Sequence, residues 1–249
     1  MPVIATRGCF NNMQSRPYNI AVRKAFAWIG ALLFLLSLLS FGVVYGWRLR
    51  IPAPASASVW RDVAINFLLF TLFALHHSVM ARTGAKAWIT RRVPPDLERS
   101  LYVWIASVLF LAVCWLWQPL PGVIWETSGP LFWLLFAIQM IGVVLTLRAA
   151  RIVGVWELAG VRQPDHTRPI DFTASGPFAI VRHPIYLGWV LIVFATPVMT
   201  TSRLLFAVVS TAYLIAAIPW EEASLVEAFG EKYRTYQREM PWRLIPRVW

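Results

Sequence analysis

The sequence has 249 residues, of which 58% are hydrophobic and only 14% charged, and its mean hydropathy is +0.59. This composition excludes an ordinary soluble globular domain and indicates an integral membrane protein. The net charge of +11 is spread over the loops without a base-reading module, so we expect contact with anionic membrane lipid and no nucleic-acid binding.

Six apolar runs approach the length needed to cross a hydrocarbon core of ~30 Å at about 1.5 Å per residue. They cover residues 25–47, 63–81, 101–117, 130–147, 185–200 and 203–220, and the last two are near the lower limit. The sequence therefore predicts an all-α integral membrane protein, a bundle of five to six transmembrane helices with a cytoplasmic C-terminal amphipathic helix. The first run is longer than the core of a signal peptide, roughly 7–15 residues, so we interpret it as a retained helix.

Basic residues divide unevenly between the two sides of this bundle. The loops and tails of one side hold 19 of the 23 Lys and Arg residues. Because Lys and Arg are retained in cytoplasmic loops, both termini are predicted to be cytoplasmic. We divide the chain into a cytoplasmic tail (1–24), transmembrane helices 1–4 (25–147) and a catalytic, cofactor-binding region (148–249). Its long polar connection, 148–182, is expected to carry chemistry.

Two shorter helices are predicted outside the membrane. Residues 83–100 (TGAKAWITRRVPPDLERS) combine basic and aromatic residues and predict an interfacial helix that is broken at Pro94 and Pro95. Between Leu225 and Tyr236, apolar and aromatic residues recur at intervals of three and four. This spacing predicts an amphipathic helix that is interrupted or bent at Gly230.

Glu221 and Glu222 follow a long uncharged stretch at the end of the sixth run. Carboxylates at hydrocarbon depth cost several kcal/mol unless they are paired or solvated, so such residues usually face a cavity or a cation. The alternative is that they mark the interface where the helix leaves the membrane. Adjacent helical residues point about 100° apart, so only one of the two is expected to face a ligand.

Arg182, His183 and Pro184 precede the fifth run on the same predicted side. Pro184 suits the first turn of a helix, where its missing N–H would have no partner. The other N–H groups of that turn favour a ligand carboxylate. Together with Glu221, this end of the hairpin suits a zwitterion, such as the amino acid part of a cofactor. The alternative is that the basic pair anchors the helix at the membrane surface.

His76 and His77 lie at the end of the second run. A metal site is not favoured, because adjacent histidines do not share a helix face and His166 alone would complete a set. Cys9 and Cys114 are predicted to lie in the cytoplasmic tail and inside the third run, so no disulfide is expected.

Four motifs in the C-terminal third of the sequence occur in an order that is found in a known protein family. They are Ser175–Phe178, Arg182–Tyr186, Glu221–Leu225 and Phe229–Tyr236. They resemble the membrane methyltransferase family that includes isoprenylcysteine carboxyl methyltransferases and phospholipid N-methyltransferases. Upstream motifs resemble the bacterial branch that contains methanethiol S-methyltransferases and membrane proteins named for nitrite and nitric oxide reduction. These motifs are Leu75–Ala81, Arg99–Tyr102, and Trp117–Leu120 with Trp125.

This resemblance implies a helical bundle in a bacterial inner membrane, whose cytoplasmic end encloses S-adenosylmethionine. Carried over residue by residue, the cofactor contacts are Gln163, Ile170, Asp171, Phe172, Thr173, Phe178, His183, Pro184, Ile185, Tyr186, Glu221 and Glu222. The candidate catalytic residues are His183, Arg182 and His77. Either histidine is a candidate general base, and Arg182 would favour the thiolate form of an acceptor.

One position departs from the family pattern. Prenylcysteine carboxyl methylation is expected to use an Arg four residues before the paired glutamates, where this chain has Ala217. A carboxylate substrate would lose a partner worth ~1.5–3 kcal/mol, so a small thiol fits better. We therefore expect methylation of methanethiol to dimethyl sulfide. The alternatives are prenylcysteine carboxyl or lipid methylation, or a non-catalytic membrane partner of a nitrogen-oxide reduction system.

Overall fold

Helices dominate the part of the chain that the computed structural model describes, residues 20–55, 58–80, 82–162 and 175–249. Five helices of these residues are long and apolar enough to cross a membrane, which confirms the predicted all-α membrane fold. In chain order the helices are α1 (Ile20–Gly46), α2 (Val59–Met80), α3 (Thr83–Ile89), α4 (Pro95–Leu116), α5 (Gly129–Val153), α6 (Val155–Leu158), α7 (Pro184–Phe194), α8 (Thr201–Phe229) and α9 (Glu231–Glu239).

The prediction of a spanning helix over 185–200 is wrong. Helix α7 has 11 residues and ends at Phe194, so it rises only ~16 Å, about half of the hydrocarbon thickness. Beyond it, strand β2 (Val198–Thr200) follows and pairs antiparallel with strand β1 (Val123–Glu126). Buried helices and buried strands are equally apolar, so hydropathy alone does not distinguish them.

Helix α8 is longer than the predicted run 203–220. It continues for 29 residues through Pro219 to Phe229, so Glu221 and Glu222 lie within the helix and not beyond its end. Gly230 has a φ of 58°, a left-handed value that glycine adopts readily, and α9 begins directly after it. The interruption predicted at Gly230 is confirmed.

The core is built from aromatic side chains of α1, α2, α4 and α8. Phe206 of α8 contacts Tyr45 of α1, Phe70 of α2 and the fully buried Trp117 after α4, with ring centroids 5.1–5.7 Å apart. Helix α1 packs along α4, and α2 packs on α4 and α8. Helix α5 lies outside this core and packs mainly on α7.

Glycines bring α5 and α7 into close contact. A Cβ added at Gly188 of α7 would lie 2.7 Å from the Gly142 carbonyl oxygen of α5 and would also meet the Thr146 side chain. Backbone atoms cannot yield to such a group, so the contact requires a residue without a side chain. Small residues at helix crossings are the usual way in which membrane helices approach one another closely.

Replacing Gly188 with alanine is expected to lower the thermal stability of the purified protein, because overpacking of this kind costs about 1–3 kcal/mol. The unfolding midpoint in detergent measures the effect. Gly42→Ala is the matched control, since nothing lies within 4 Å of the added Cβ there. Equal midpoints for the two variants would contradict the tight α5–α7 contact.

A buried arginine closes the end of the bundle where the two strands pair. Arg203 is 4% exposed and donates hydrogen bonds to the carbonyls of Tyr45 and Gly46 and to the Thr196 hydroxyl. At ~1.5 Å per residue, α8 separates this arginine from Glu222 by roughly 30 Å. The polar cluster around Arg203 and the glutamate pair therefore lie at opposite ends of the bundle.

Candidate active site

Glu222 is the centre of a buried ionic cluster at the end of α8. Its side chain is 6% exposed, and its Oε1 accepts hydrogen bonds from Arg182 Nε at 2.7 Å and from His183 Nε2 at 3.2 Å. Its Oε2 accepts one from Gln237 at 3.3 Å and lies 3.4 Å from Arg243 Nε. Both oxygens of Glu222 are thus engaged by groups of the protein itself.

The backbone that follows α9 completes this cluster. Arg182 Nη1 donates to the carbonyls of Met240 and Pro241 at 2.7 and 3.0 Å. The backbone N–H of Arg182 donates to the carbonyl of Trp242 at 2.8 Å, and that of His183 donates to the carbonyl of Arg243 at 2.9 Å. Residues 240–243 therefore fix both the backbone and the side chain of Arg182 before α7 begins.

Glu221 points to a different environment from that of its neighbour. Its side chain is 44% exposed, and its Oε2 accepts a hydrogen bond of 2.6 Å from the Tyr186 hydroxyl and lies 3.8 Å from His183 Nδ1. The rings of His183 and Tyr186 stack with centroids 5.3 Å apart. In the described residues Glu221 Oε1 has no hydrogen-bond partner, so this oxygen is accessible to a ligand. The expectation that only one of the two glutamates faces a ligand stays a prediction, and Glu221 is the candidate.

A second polar pair lies between α2 and α4. The hydroxyl of Tyr102, which is 7% exposed, lies 2.8 Å from His77 Nδ1, and His76 Nε2 lies 3.3 Å from the Tyr102 carbonyl. Tyr102 is close enough to Glu221 and to Tyr186 to interact with them electrostatically. The pair therefore flanks the Glu221 side of the cluster, although no described contact joins His77 directly to His183.

Phe178 is held on the cluster from the other side. It lies in the 3-10 turn Gly176–Ala179, and its carbonyl accepts a 2.9 Å hydrogen bond from the Tyr236 hydroxyl of α9. Burial raises the pKa of Tyr236 to about 12, so this hydroxyl keeps its proton and remains a donor at physiological pH. Tyr233 and Met240 complete a small apolar cluster that Phe178 packs against.

The structure brings together most of the predicted site residues that it describes. Phe178, the segment from Arg182 to Tyr186, and the two glutamates of α8 meet at one end of the bundle, whereas His77 belongs to the neighbouring α2–α4 pair. The predicted contacts Gln163, Ile170, Asp171, Phe172 and Thr173 lie outside the described residues. Sequence reasoning missed Gln237, Arg243 and the carbonyls of residues 240–243, because no motif marks a residue that acts through a long-range contact.

The hydrogen-bonding groups of the site fit the zwitterionic amino acid part of a ligand such as S-adenosylmethionine. The accessible oxygen of Glu221 offers an acceptor for an ammonium group. The first-turn N–H groups of α7 have no partner within the helix and offer donors for a carboxylate. The two sets lie side by side because the hydroxyl of Tyr186, in that first turn, bonds to Glu221. The acceptor and the donors therefore both lie near the start of α7.

Comparison with known proteins adds to this geometry. The family model described as phospholipid methyltransferase matches residues 131–232, which include the 3-10 turn, α7, the glutamate pair and the start of α9. Methanethiol S-methyltransferase of Mycobacterium tuberculosis is 38% identical over 234 residues, covering 86% of this chain and 94% of that protein. Methanethiol S-methyltransferase 1 of Bradyrhizobium diazoefficiens is 39% identical over 239 residues, covering 91% and 81%.

A more distant relative is Nurim of Mus musculus, which is 28% identical over 187 residues, covering 68% of this chain and 69% of that protein. No solved structure matches the chain. The helical bundle, the ionic cluster and these similarities define an integral membrane enzyme of the methyltransferase class. The chain belongs to the membrane methyltransferase family that includes phospholipid methyltransferases and methanethiol S-methyltransferases.

Proposed function

We propose that this protein transfers a methyl group from S-adenosylmethionine to methanethiol and releases dimethyl sulfide. The main support is the exposed Glu221 carboxylate, which Tyr186 and His183 hold beside the first turn of α7. Relatives named for this activity, at 38–39% identity over most of the chain, give the substrate. The same region of the chain carries the family match.

In this proposal Glu221, Tyr186, Ile185 and Pro184 contact the cofactor, together with Phe178 and the predicted positions 163 and 170–173. S-adenosylmethionine supplies a methyl group that is already activated by its sulfonium, so the protein mainly positions the reactants. Arg182 and Glu222 act as positioning residues, because Nε and Nη1 of Arg182 and both carboxylate oxygens of Glu222 are already bonded to groups of the protein. They hold His183 and the N-terminus of α7 in place.

The acceptor reacts as a thiolate, so a proton must leave the thiol. We propose His183 and His77 as the candidate proton acceptors. The ring nitrogens Nδ1 and Nε2 of His183 lie 3.8 and 3.2 Å from carboxylate oxygens of Glu221 and Glu222. Nδ1 of His77 lies 2.8 Å from the Tyr102 hydroxyl. The pH dependence of turnover in His183→Gln and in His77→Gln tests this, because the variant that lacks the base should lose the pH dependence of the wild-type enzyme.

We also propose that both termini face the cytoplasm of a bacterial cell and that the protein lies in the inner membrane. The support is the concentration of 19 of the 23 Lys and Arg residues on one side of the predicted topology. This orientation places the glutamate pair at the cytoplasmic end of α8. The cofactor is then taken from the cytoplasm, and a small apolar thiol enters from water or from lipid.

The expected result of an assay with purified protein in detergent is dimethyl sulfide formation that requires both S-adenosylmethionine and methanethiol. Gas chromatography of the headspace measures dimethyl sulfide, and release of S-adenosylhomocysteine gives an independent measure of methyl transfer. Glu227→Gln, a change on an exposed stretch of α8, is the control variant and should retain the activity. A protein that binds the cofactor and forms no dimethyl sulfide would contradict the proposed acceptor.

Lipid or prenylcysteine carboxyl methylation is the second candidate, which the match to the phospholipid methyltransferase model favours. Ala217 lies one helical turn before Glu221 and provides no cation for a substrate carboxylate. Parallel assays with phosphatidylethanolamine and a farnesylcysteine analogue separate the candidates. A chain with no affinity for S-adenosylmethionine would instead fit a non-catalytic membrane partner.

A further inference from the structure

An open groove runs along the face of α5 that is not in the bundle core. Its volume is about 820 Å³, within the range of roughly 300–1,000 Å³ that is typical of ligand sites. Apolar side chains of α5 line it, including Ala137, Met140, Ile141 and Val144. At one end the floor is formed by the 3-10 turn Gly176–Ala179.

The same end of the groove carries two arginines. Arg148 and Arg151 line it, both are exposed, and their spacing of three residues places them on one face of α5. Neither forms an ion pair with a carboxylate of residues 20–55, 58–80, 82–162 or 175–249. Two guanidinium groups at this end of the apolar groove are therefore available to an anion.

The dimensions of the groove match one leaflet of a membrane. From Ala137 to Arg148 the lining of α5 rises about 16 Å, and half of a hydrocarbon core is about 15 Å. One acyl chain can thus lie along the apolar part while its phosphate reaches the arginines. Guanidinium groups bind phosphate oxygens in a bidentate manner, and basic clusters beside transmembrane helices recognise anionic head groups.

We propose that this groove is a binding site for an anionic phospholipid, with an acyl chain against α5 and the phosphate between Arg148 and Arg151. The bound lipid also contacts Gly176, Pro177 and Ile180, and Pro177 is followed directly by Phe178 of the candidate active site. The lipid would therefore brace the turn that carries Phe178. The proposal does not depend on the methyl acceptor or on the cofactor.

The test is titration of the delipidated protein with phosphatidylglycerol and, separately, with phosphatidylcholine, followed by native mass spectrometry. We expect the wild-type protein to retain phosphatidylglycerol in preference. In Arg148→Gln/Arg151→Gln the affinity for phosphatidylglycerol should fall roughly 30-fold, since each basic residue near an anionic lipid contributes a factor of about five. The affinity for phosphatidylcholine should change little.

Arg91→Gln/Arg92→Gln is the matched control, because it removes two exposed charges between α3 and α4, outside the groove. It should keep the wild-type preference for phosphatidylglycerol. Equal losses in the two double variants would assign the preference to overall charge and overturn the site. So would a wild-type protein that binds the two lipids equally. Neither outcome affects the proposed methyl transfer, which is assayed separately.

Discussion

Glu221→Gln is expected to weaken S-adenosylmethionine binding about 10- to 150-fold while leaving the fold intact. The carboxylate is 44% exposed, and its Oε1 has no partner among the described residues, so it is the acceptor that remains available to a ligand ammonium. A hydrogen bond to a charged group contributes about 1.5–3 kcal/mol, which sets this range. Isothermal calorimetry with the purified protein measures the dissociation constant, and dimethyl sulfide formation should fall with it.

Glu227→Gln is the control for this measurement, since it removes one carboxylate from an exposed position of the same helix. It should bind the cofactor like the wild-type protein. The unfolding midpoint of Glu221→Gln should also stay close to the wild-type value, because its one described hydrogen bond is accessible to solvent. An unchanged dissociation constant for Glu221→Gln would show that this glutamate only marks the membrane interface.

Glu222→Ala is expected to have the largest effect on stability. The substitution leaves the guanidinium of Arg182 buried without its carboxylate, because both residues are 6% exposed and bonded to each other. Removing one partner of a buried ion pair costs about 3–5 kcal/mol. Thermal unfolding followed by tryptophan fluorescence should show a midpoint lowered by roughly 10 °C.

A graded series of variants tests whether the loss of stability in Glu222→Ala comes from the lost charge or from the lost shape of the side chain. Glu222→Gln keeps the shape of the side chain and should fall between the wild type and Glu222→Ala. Glu231→Ala also removes an ion-paired carboxylate, but its partner Arg238 is exposed, so no measurable shift is expected. If Glu222→Ala and Glu231→Ala unfold at the same temperature, the buried cluster does not stabilise the protein.

The long apolar helices follow from the sequence because hydropathy measures what the membrane requires, about 20 apolar residues per crossing. The same measure failed over 185–200, where Pro197 precedes a buried strand, Val198–Thr200, that pairs with Val123–Glu126, more than 70 positions earlier. It also ended the sixth run too early. The apolar run stops at Glu221 and Glu222, yet α8 continues to Phe229, and the two carboxylates are bonded to Tyr186, Arg182 and His183.

The location of the candidate site was predictable from local motifs, but its division of roles was not. Adjacent glutamates look alike in sequence, and only the fold shows that Glu222 is enclosed by Arg182 and Arg243 while Glu221 is accessible. The contribution of the tail is made through backbone carbonyls, which every residue possesses. No residue type therefore marks residues 240–243 as part of the site.

Residues 240–243 come after the five described helices that are long and apolar enough to cross a membrane, yet they accept the hydrogen bonds that set the start of α7. The start of α7 is therefore set by a segment 58 or more residues further along the sequence. A truncation that removes residues 240–249 would leave the five long apolar helices in the chain and still deprive Arg182 of these partners.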